Sequence, residues 1–363
     1  MANPKLDFFR KQLTKQKLDG VLISSVANIT YLTGFSNFTL EERGGFVLIT
    51  KDKQFILTSA LYAEAVKKQV PEFELVELHR GPIFKKTFKS LSQKHHLKNL
   101  GIEENNLTVA ESKFFSQFSK LSGFNHHHLR SVKTDSEIAA IKKACQIGDL
   151  AFKHILTKIK LGVTEKQLAF ELEKFIKSSG ATFSFDPIVA FGPNSSVPHH
   201  QTGDAKLKNK SGQFVLMDFG VKFDNYCSDM TRTIFFGQPT LRQKRVYNAV
   251  FQAQQQSEKY ITQCLELGRP IKTALIDQKA RDYISSQGFP PFNHSSHGIG
   301  LEVHEHPSLS FRSKDILKPG MVFSIEPGIY FEEFGGIRIE DLYLLEQTKL
   351  TKLTQASNKL IQL

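Results

Sequence analysis

The sequence is poor in cysteine and holds neither a long apolar run nor a block of like charge, and each absence narrows what the chain can be. Its three cysteines, Cys145, Cys227 and Cys264, are odd in number and widely spaced. They suggest no disulfide framework, which fits a reducing compartment. The opening residues, MANPKLDFFRKQL, carry charges where a secretory signal needs an unbroken apolar stretch. No later segment reaches the roughly 20 apolar residues of a membrane span. The expected location is the cytoplasm, with no membrane partner. The formal charge is +12, yet Lys and Arg are scattered through both halves and match no nucleic-acid motif. A scattered basic surface is the simpler reading, and no nucleic-acid partner is expected.

What is present is an ordinary globular composition, 40% hydrophobic and 23% charged, over 363 residues, enough for two domains. Residues 1–132 alternate helix-like and strand-like stretches. Phe8 to Leu18 reads as a helix. Gly20–Ser24, Gly45–Thr50, Glu74–Leu78 and Asn99–Ile102 are short apolar runs that read as strands. This is an α/β layer domain. His126-His127-His128, just before the boundary, reads as solvated loop. A second domain, 133–363, opens with the capping box Thr134/Glu137 ahead of apolar residues at helical spacing.

The second domain carries a weak internal duplication. A helix over 136–160 and another ending at Gly180 are matched by a helix over 241–266 and another ending at Gly288. Gly212-Gln-Phe-Val-Leu-Met-Asp218-Phe-Gly220 then aligns without gaps to Gly320-Met-Val-Phe-Ser-Ile-Glu326-Pro-Gly328. Two copies of one helix–helix–hairpin unit should pack about a pseudo-two-fold axis, with their hairpins in one central sheet.

Each hairpin bears a second acid. Asp218 and Asp229 flank Phe223-Asp224-Asn225; Glu326 and Glu340 flank the segment 332–336. In simple hairpins each pair would face across the strands, where like charges repel. A single acid of this kind is more simply a surface group. Four in two matching apolar hairpins need compensation, and buried carboxylates without it are costly. Two divalent cations would supply it, and opposed acids can bridge ions about 3.5–4 Å apart. Oxygen-rich ligation favours Mn²⁺, with Fe²⁺, Co²⁺ or Zn²⁺ compatible. Between the hairpins, His294-Ser-Ser-His297-Gly-Ile-Gly-Leu-Glu-Val-His304-Glu-His306 offers imidazoles beside glycines that permit close backbone approach. His199 and His200 precede the first hairpin.

Met217-Asp-Phe-Gly220, Ser228-Asp-Met-Thr-Arg-Thr233, His297-Gly-Ile-Gly-Leu-Glu-Val-His304-Glu, Ile325-Glu-Pro-Gly-Ile-Tyr330 and Gly336-Ile-Arg-Ile-Glu-Asp341 together resemble the pita-bread metallopeptidases. The likeness is to their Xaa-Pro branch, the prolidases and aminopeptidases P. Asp19–Ser24 and Asn28–Phe35 resemble the amino-terminal domain of that branch, a creatinase/prolidase-like α/β fold. The resemblance implies a pita-bread α+β catalytic domain holding two metals on Asp218, Asp229, His297, Glu326 and Glu340. Asp218 would hold one ion, His297 and Glu326 the other, with Asp229 and Glu340 bridging. It implies substrate-facing roles for His199 and His304, a supporting role for Arg338, and proton relay by Glu326. The implied activity is hydrolysis of the Xaa-Pro bond at the amino end of proline-containing peptides by a metal-bridging hydroxide, in a homodimer or homotetramer. Methionine aminopeptidase shares the ligands but lacks such an amino-terminal domain. Creatinase-like hydrolases and non-catalytic binding modules of this fold have degraded ligand sets, unlike this chain. Two departures stand out. Ser296 replaces the family's usual glycine, leaving the approach from His294 one residue short, and His200 and His306 are additional histidines with no assigned role.

Overall fold

The computed structural model describes residues 4–39, 42–78, 82–124, 128–208, 212–290 and 294–363. His126 and His127 of the histidine run lie outside the described residues. The chain divides into two compact units, Met1–His126 and His127–Leu363.

The first unit is a six-stranded sheet with helices. Its strands are β1 (Gly20–Ile23), β2 (Gly45–Thr50), β3 (Gln54–Thr58), β4 (Glu74–Glu77), β5 (Asn99–Ile102) and β6 (Lys120–Gly123), in the order β4-β3-β2-β1-β5-β6. Every residue of β1 and β2 is buried, as continuous apolar runs in a covered sheet must be. The helices are α1 (Pro4–Gln16), α2 (Val26–Thr33), α3 (Ala60–Gln69), α4 (Pro82–Lys94) and α5 (Val109–Phe115).

The second unit repeats one order of elements. Helices α6 (Asp135–Leu156) and α7 (Glu165–Ser178) precede the first hairpin; α8 (Leu241–Glu266) and α9 (Thr273–Ser286) precede the second. Thr134 and Glu137 close the capping box that starts α6, and Thr164/Gln167 and Thr240/Gln243 do the same for α7 and α8. Among the described residues, no helix is long and apolar enough to cross a membrane.

The strands between and after these helices are β7 (Thr182–Phe183), β8 (Ile188–Phe191), β9 (Gln213–Phe219), β10 (Val221–Phe223), β11 (Tyr226–Cys227) and β12 (Met230–Phe236). They continue with β13 (Ser296–Gly298), β14 (Glu305–Leu309), β15 (Val322–Ile325), β16 (Gly328–Phe331), β17 (Gly335–Arg338), β18 (Asp341–Leu345) and β19 (Leu350–Lys352). The single central sheet expected from sequence is divided. The described strands form sheets ordered β11-β10-β7, β12-β9-β8, β14-β13-β15-β18-β19 and β16-β17. The breaks fall at the acids. Pro327, directly after Glu326, has no N–H to give a ladder, so β15–β18 stops and β16–β17 begins beyond it. Register nevertheless runs unchanged across the break, from Ile325 opposite Asp341 to Gly328 opposite Arg338. Glu326 therefore stands opposite Glu340.

The first hairpin corrects the sequence reading. Asp218 pairs with Thr231, not with Asp229. The turn is Asp224-Asn225, both at positive φ, and it fixes Phe223 opposite Tyr226. Continuing that register sets Asp229 opposite Gly220, two places from Asp218 on the same face. Matching Gly220 to Gly328 across the duplication then makes Arg338 the counterpart of Asp229, and Glu340 the counterpart of Thr231.

Candidate metal centre

The two hairpins meet where their ladders break. Glu340 N–H donates to the Thr231 carbonyl at 3.1 Å, and Arg338 N–H to Thr233 Oγ1 at 3.2 Å. These bonds bring Asp218, Asp229, Glu326 and Glu340 together, all buried, with His297 on β13 beside them. His297 Nε2 lies 3.2 Å from Glu326 Oε1, 3.8 Å from Asp229 Oδ2 and 4.0 Å from Glu340 Oε1. Ligand atoms of Asp229, His297 and Glu340 all fall within 4.8 Å of one another.

Small hydroxyls and one arginine aim these groups. Ser324 Oγ accepts from His297 N–H at 3.0 Å and donates to Glu326 Oε1 at 2.8 Å. Thr231 Oγ1 donates to Glu340 Oε2 at 2.7 Å and accepts from Arg338 Nε at 2.9 Å. Arg338 also pairs with Asp218 Oδ2 at 2.5 Å and donates to the Tyr330 hydroxyl at 2.8 Å. Arg232, without a role from sequence, is 1% exposed and donates to the Glu340 carbonyl and to Asp341 Oδ1, each at 2.5 Å. Its position inside Thr231-Arg232-Thr233 was the available signal. Ser296, the departure from the family's glycine, accepts from Glu326 N–H at 3.2 Å.

The electrostatics are those of four acids in too small a space. Burial, and then Glu340, Asp218 and Glu326, push the Asp229 carboxyl well above its usual range. Burial, and then Glu326 and Asp218, raise Glu340 likewise. Glu326 goes the other way: burial pushes it up, but the His297 hydrogen bond and charge outweigh that and take it down to about 2. Burial lowers His297, but the same bond to Glu326 prevails and raises it to about 9. Asp218 Oδ1, Asp229 Oδ1 and Glu340 Oε1 are buried with no hydrogen-bond partner among the described residues. Three donorless oxygens in one cluster fit cation binding.

A cavity of about 310 Å³ opens over the cluster, lined by all five of these residues with His199, His294, His304 and Arg338. An adjoining cavity of about 440 Å³ shares His199, His294, His297, His304 and Glu326. The structure thus gathers every residue that sequence reasoning assigned to the site. His304 stacks edge-on to His297 at 4.3 Å between ring centroids, and burial followed by His297 lowers its pKa. Gly298 lets β14 come close to β13, since a Cβ there would meet the His306 main chain at 2.5 Å. His199 is carried on a loop fastened to Glu165, which is fully buried. Its carboxylate accepts from the N–H groups of Phe191 and Gly203 and from Asn194 Nδ2, and it holds His200 at 2.9 Å. His294, given no role from sequence, lines both cavities and sets Nε2 2.7 Å from the Glu326 carbonyl.

Residues 139–347 match metallopeptidase family M24, and residues 5–132 match the creatinase/prolidase N-terminal domain. The uncharacterized peptidase YqhT of Bacillus subtilis (strain 168) is 38% identical over 98% of this chain and 99% of its own length. Among solved structures, the Xaa-Pro dipeptidase from Bacillus anthracis is 34% identical, covers 99% of both chains and superposes with a TM-score of 0.89. The X-Pro aminopeptidase from Thermotoga maritima MSB8 is 30% identical, with a TM-score of 0.82 over 96% of this chain and 98% of its own. With its family-specific segment matched over more than half its length, behind an amino-terminal domain of the creatinase/prolidase type, this chain belongs to metallopeptidase family M24.

Proposed function

We propose that the chain is a metal-dependent exopeptidase that hydrolyses the Xaa-Pro bond at the amino end of dipeptides or short peptides. The observation that carries this reading is the set of donorless buried oxygens on Asp218, Asp229 and Glu340, converging with His297 and Glu326 beneath a peptide-sized cavity. Asp218, Asp229, His297, Glu326 and Glu340 would hold two divalent ions, Mn²⁺ best suiting so many oxygens. When bound, such ions polarise a scissile carbonyl and acidify the attacking water.

The remaining work falls to the chain. His199 and His304 line the cavity, where they would donate hydrogen bonds to the substrate carbonyl as charge develops on it. Glu326, a carboxylate lining the cavity, would carry a proton toward the departing proline nitrogen. Arg338 and Ser324 fix the carboxylates so that little reorganisation is needed during reaction. Proline suits such a cleft because its nitrogen, within the peptide bond, has no hydrogen for other proteases to hold.

The test is hydrolysis of Ala-Pro and Ala-Pro-Ala by chelated protein before and after Mn²⁺ is restored. Cleavage that returns with the metal supports the proposal, and the preferred substrate separates dipeptidase from aminopeptidase. Cleavage of a Met-Ala peptide alone, or full activity without metal, would overturn it.

A further inference from the structure

Outside the five-residue cluster, the second unit assembles another set of metal-binding side chains. His128, the last residue of the histidine run and on a turn, His306, on β14, and Asp315, in the loop before β15, offer ligand atoms that all lie within 4.8 Å of one another. His128 Nε2 is 3.8 Å from Asp315 Oδ1, and His306 Nδ1 is 3.3 Å from Asp315 Oδ2. The imidazole rings meet edge-to-face at 5.4 Å between centroids. Donors bound at the roughly 2.0–2.1 Å of a tetrahedral zinc site stand about 3.3–3.5 Å apart. The two His–Asp separations, to different oxygens of Asp315, lie within a few tenths of an ångström of that range, and the imidazole nitrogens lie within 4.8 Å of each other.

Asp315 is held in place for this. Ser308 N–H donates to its Oδ2 at 3.0 Å, its own N–H donates to Ser313 Oγ at 3.1 Å, and its carbonyl accepts from Thr273 N–H at 3.1 Å. The carboxylate thus has one oxygen anchored while the other faces His128. Both imidazoles are partly exposed, His128 at 61% and His306 at 38% of the side chain, so an ion can reach them without desolvating a core.

We propose that His128, His306 and Asp315 form a third cation site, distinct from the five-residue cluster. Two imidazoles and one carboxylate favour Zn²⁺, Ni²⁺ or Cu²⁺ over Mg²⁺ or Mn²⁺, the reverse of the oxygen-rich cluster. The simpler alternative is a surface His–Asp ion pair, which explains one imidazole beside Asp315 but gives no reason for a second within 3.8 Å of the same carboxylate. His306 also lines the 440 Å³ cavity with His199 and His304, so the ion would stand at the rim of the cleft. The site does not depend on the substrate proposed above.

Equilibrium dialysis of the full chain against buffered Zn²⁺ tests this, with metal counted per chain for the native protein, His306→Ala and His128→Ala. Each variant should bind one zinc fewer than the native protein, and Mn²⁺ counts should be equal in all three. His128 is exposed on a turn, so its variant keeps the test valid if His306→Ala folds poorly. An unchanged zinc count in a folded variant would overturn the site. So would a parallel loss of Mn²⁺, which would mean that the substitution disturbs the five-residue cluster instead.

Discussion

Metal uptake by the five-residue cluster should expel protons. His297, raised to about 9 by its bond to Glu326, carries a proton on the metal-free protein at pH 7. Its Nε2 faces the three carboxylates and must give up that proton before it can ligate. Stripping a proton from a group of pKa about 9 at pH 7 costs about 3 kcal/mol. Each pH unit between 7 and 9 should therefore tighten binding by about tenfold through His297 alone. Asp229 and Glu340, held up by burial and by each other's neighbourhood, add to the slope wherever they remain protonated. Above about pH 9 the contribution of His297 ends. The assay is titration of Mn²⁺ into metal-free protein in weakly buffered solution, following released acid, with affinities measured from pH 6.5 to 8.5. Affinity that does not change over that range, with no acid released, would refute the assignment of these residues as ligands.

Other predictions concern stability and turnover. Because the folded pKa of His297 lies above its ordinary value, its pairing contributes fully below about pH 6.5 and fades as pH rises through about 9. Metal-free protein should lose Tm over that interval while the Mn²⁺-loaded form stays level; parallel curves would count against the pairing. Glu326, at about 2, gives the acid limb, with stability present above about pH 4.5 and lost on descent toward 2. His304→Ala should keep its Mn²⁺ and Tm yet lose turnover on the order of 10²–10³, as removal of an oxyanion donor does elsewhere. Near-normal kcat, or lost metal, would reassign the residue. Arg338→Met strands Asp218 Oδ2 and frees Thr231 Oγ1 and the Tyr330 hydroxyl, a loss of about 3–5 kcal/mol in metal-free protein. Denaturant unfolding at native midpoint would show the pair to be dispensable.

Much of this was written locally in the chain. One capping box, Thr134/Glu137, with glycine stops and helical spacing marked α6 to α9, because caps and periodicity are properties of neighbouring residues. The acids were visible because a carboxylate inside an apolar strand conflicts with its surroundings. Register was harder to read. Asp224 and Asn225 both take positive φ, and this tight turn shifts the partner of Asp218 from Asp229 to Thr231. Nothing in the spacing of the acids reports which two residues turn. Long-range meetings were invisible for a plainer reason. Asp315 reaches His128 across most of the second unit, and Ser296 finds the Glu326 amide only after two strands have aligned. His128 and His306, each unremarkable in sequence, gain meaning from that proximity.

The exchange of an aspartate for an arginine between the duplicated hairpins makes the centre lopsided in time as well as in space. Near Asp218 an incoming ion meets the Arg338 guanidinium, a positive charge that no ordinary pH removes. Near Glu326 it meets the imidazolium of His297, a positive charge that alkali discharges. One berth is guarded permanently and the other conditionally. In the two-ion site proposed above, the ions would therefore arrive in order and leave in order, with acidity emptying one berth before the other.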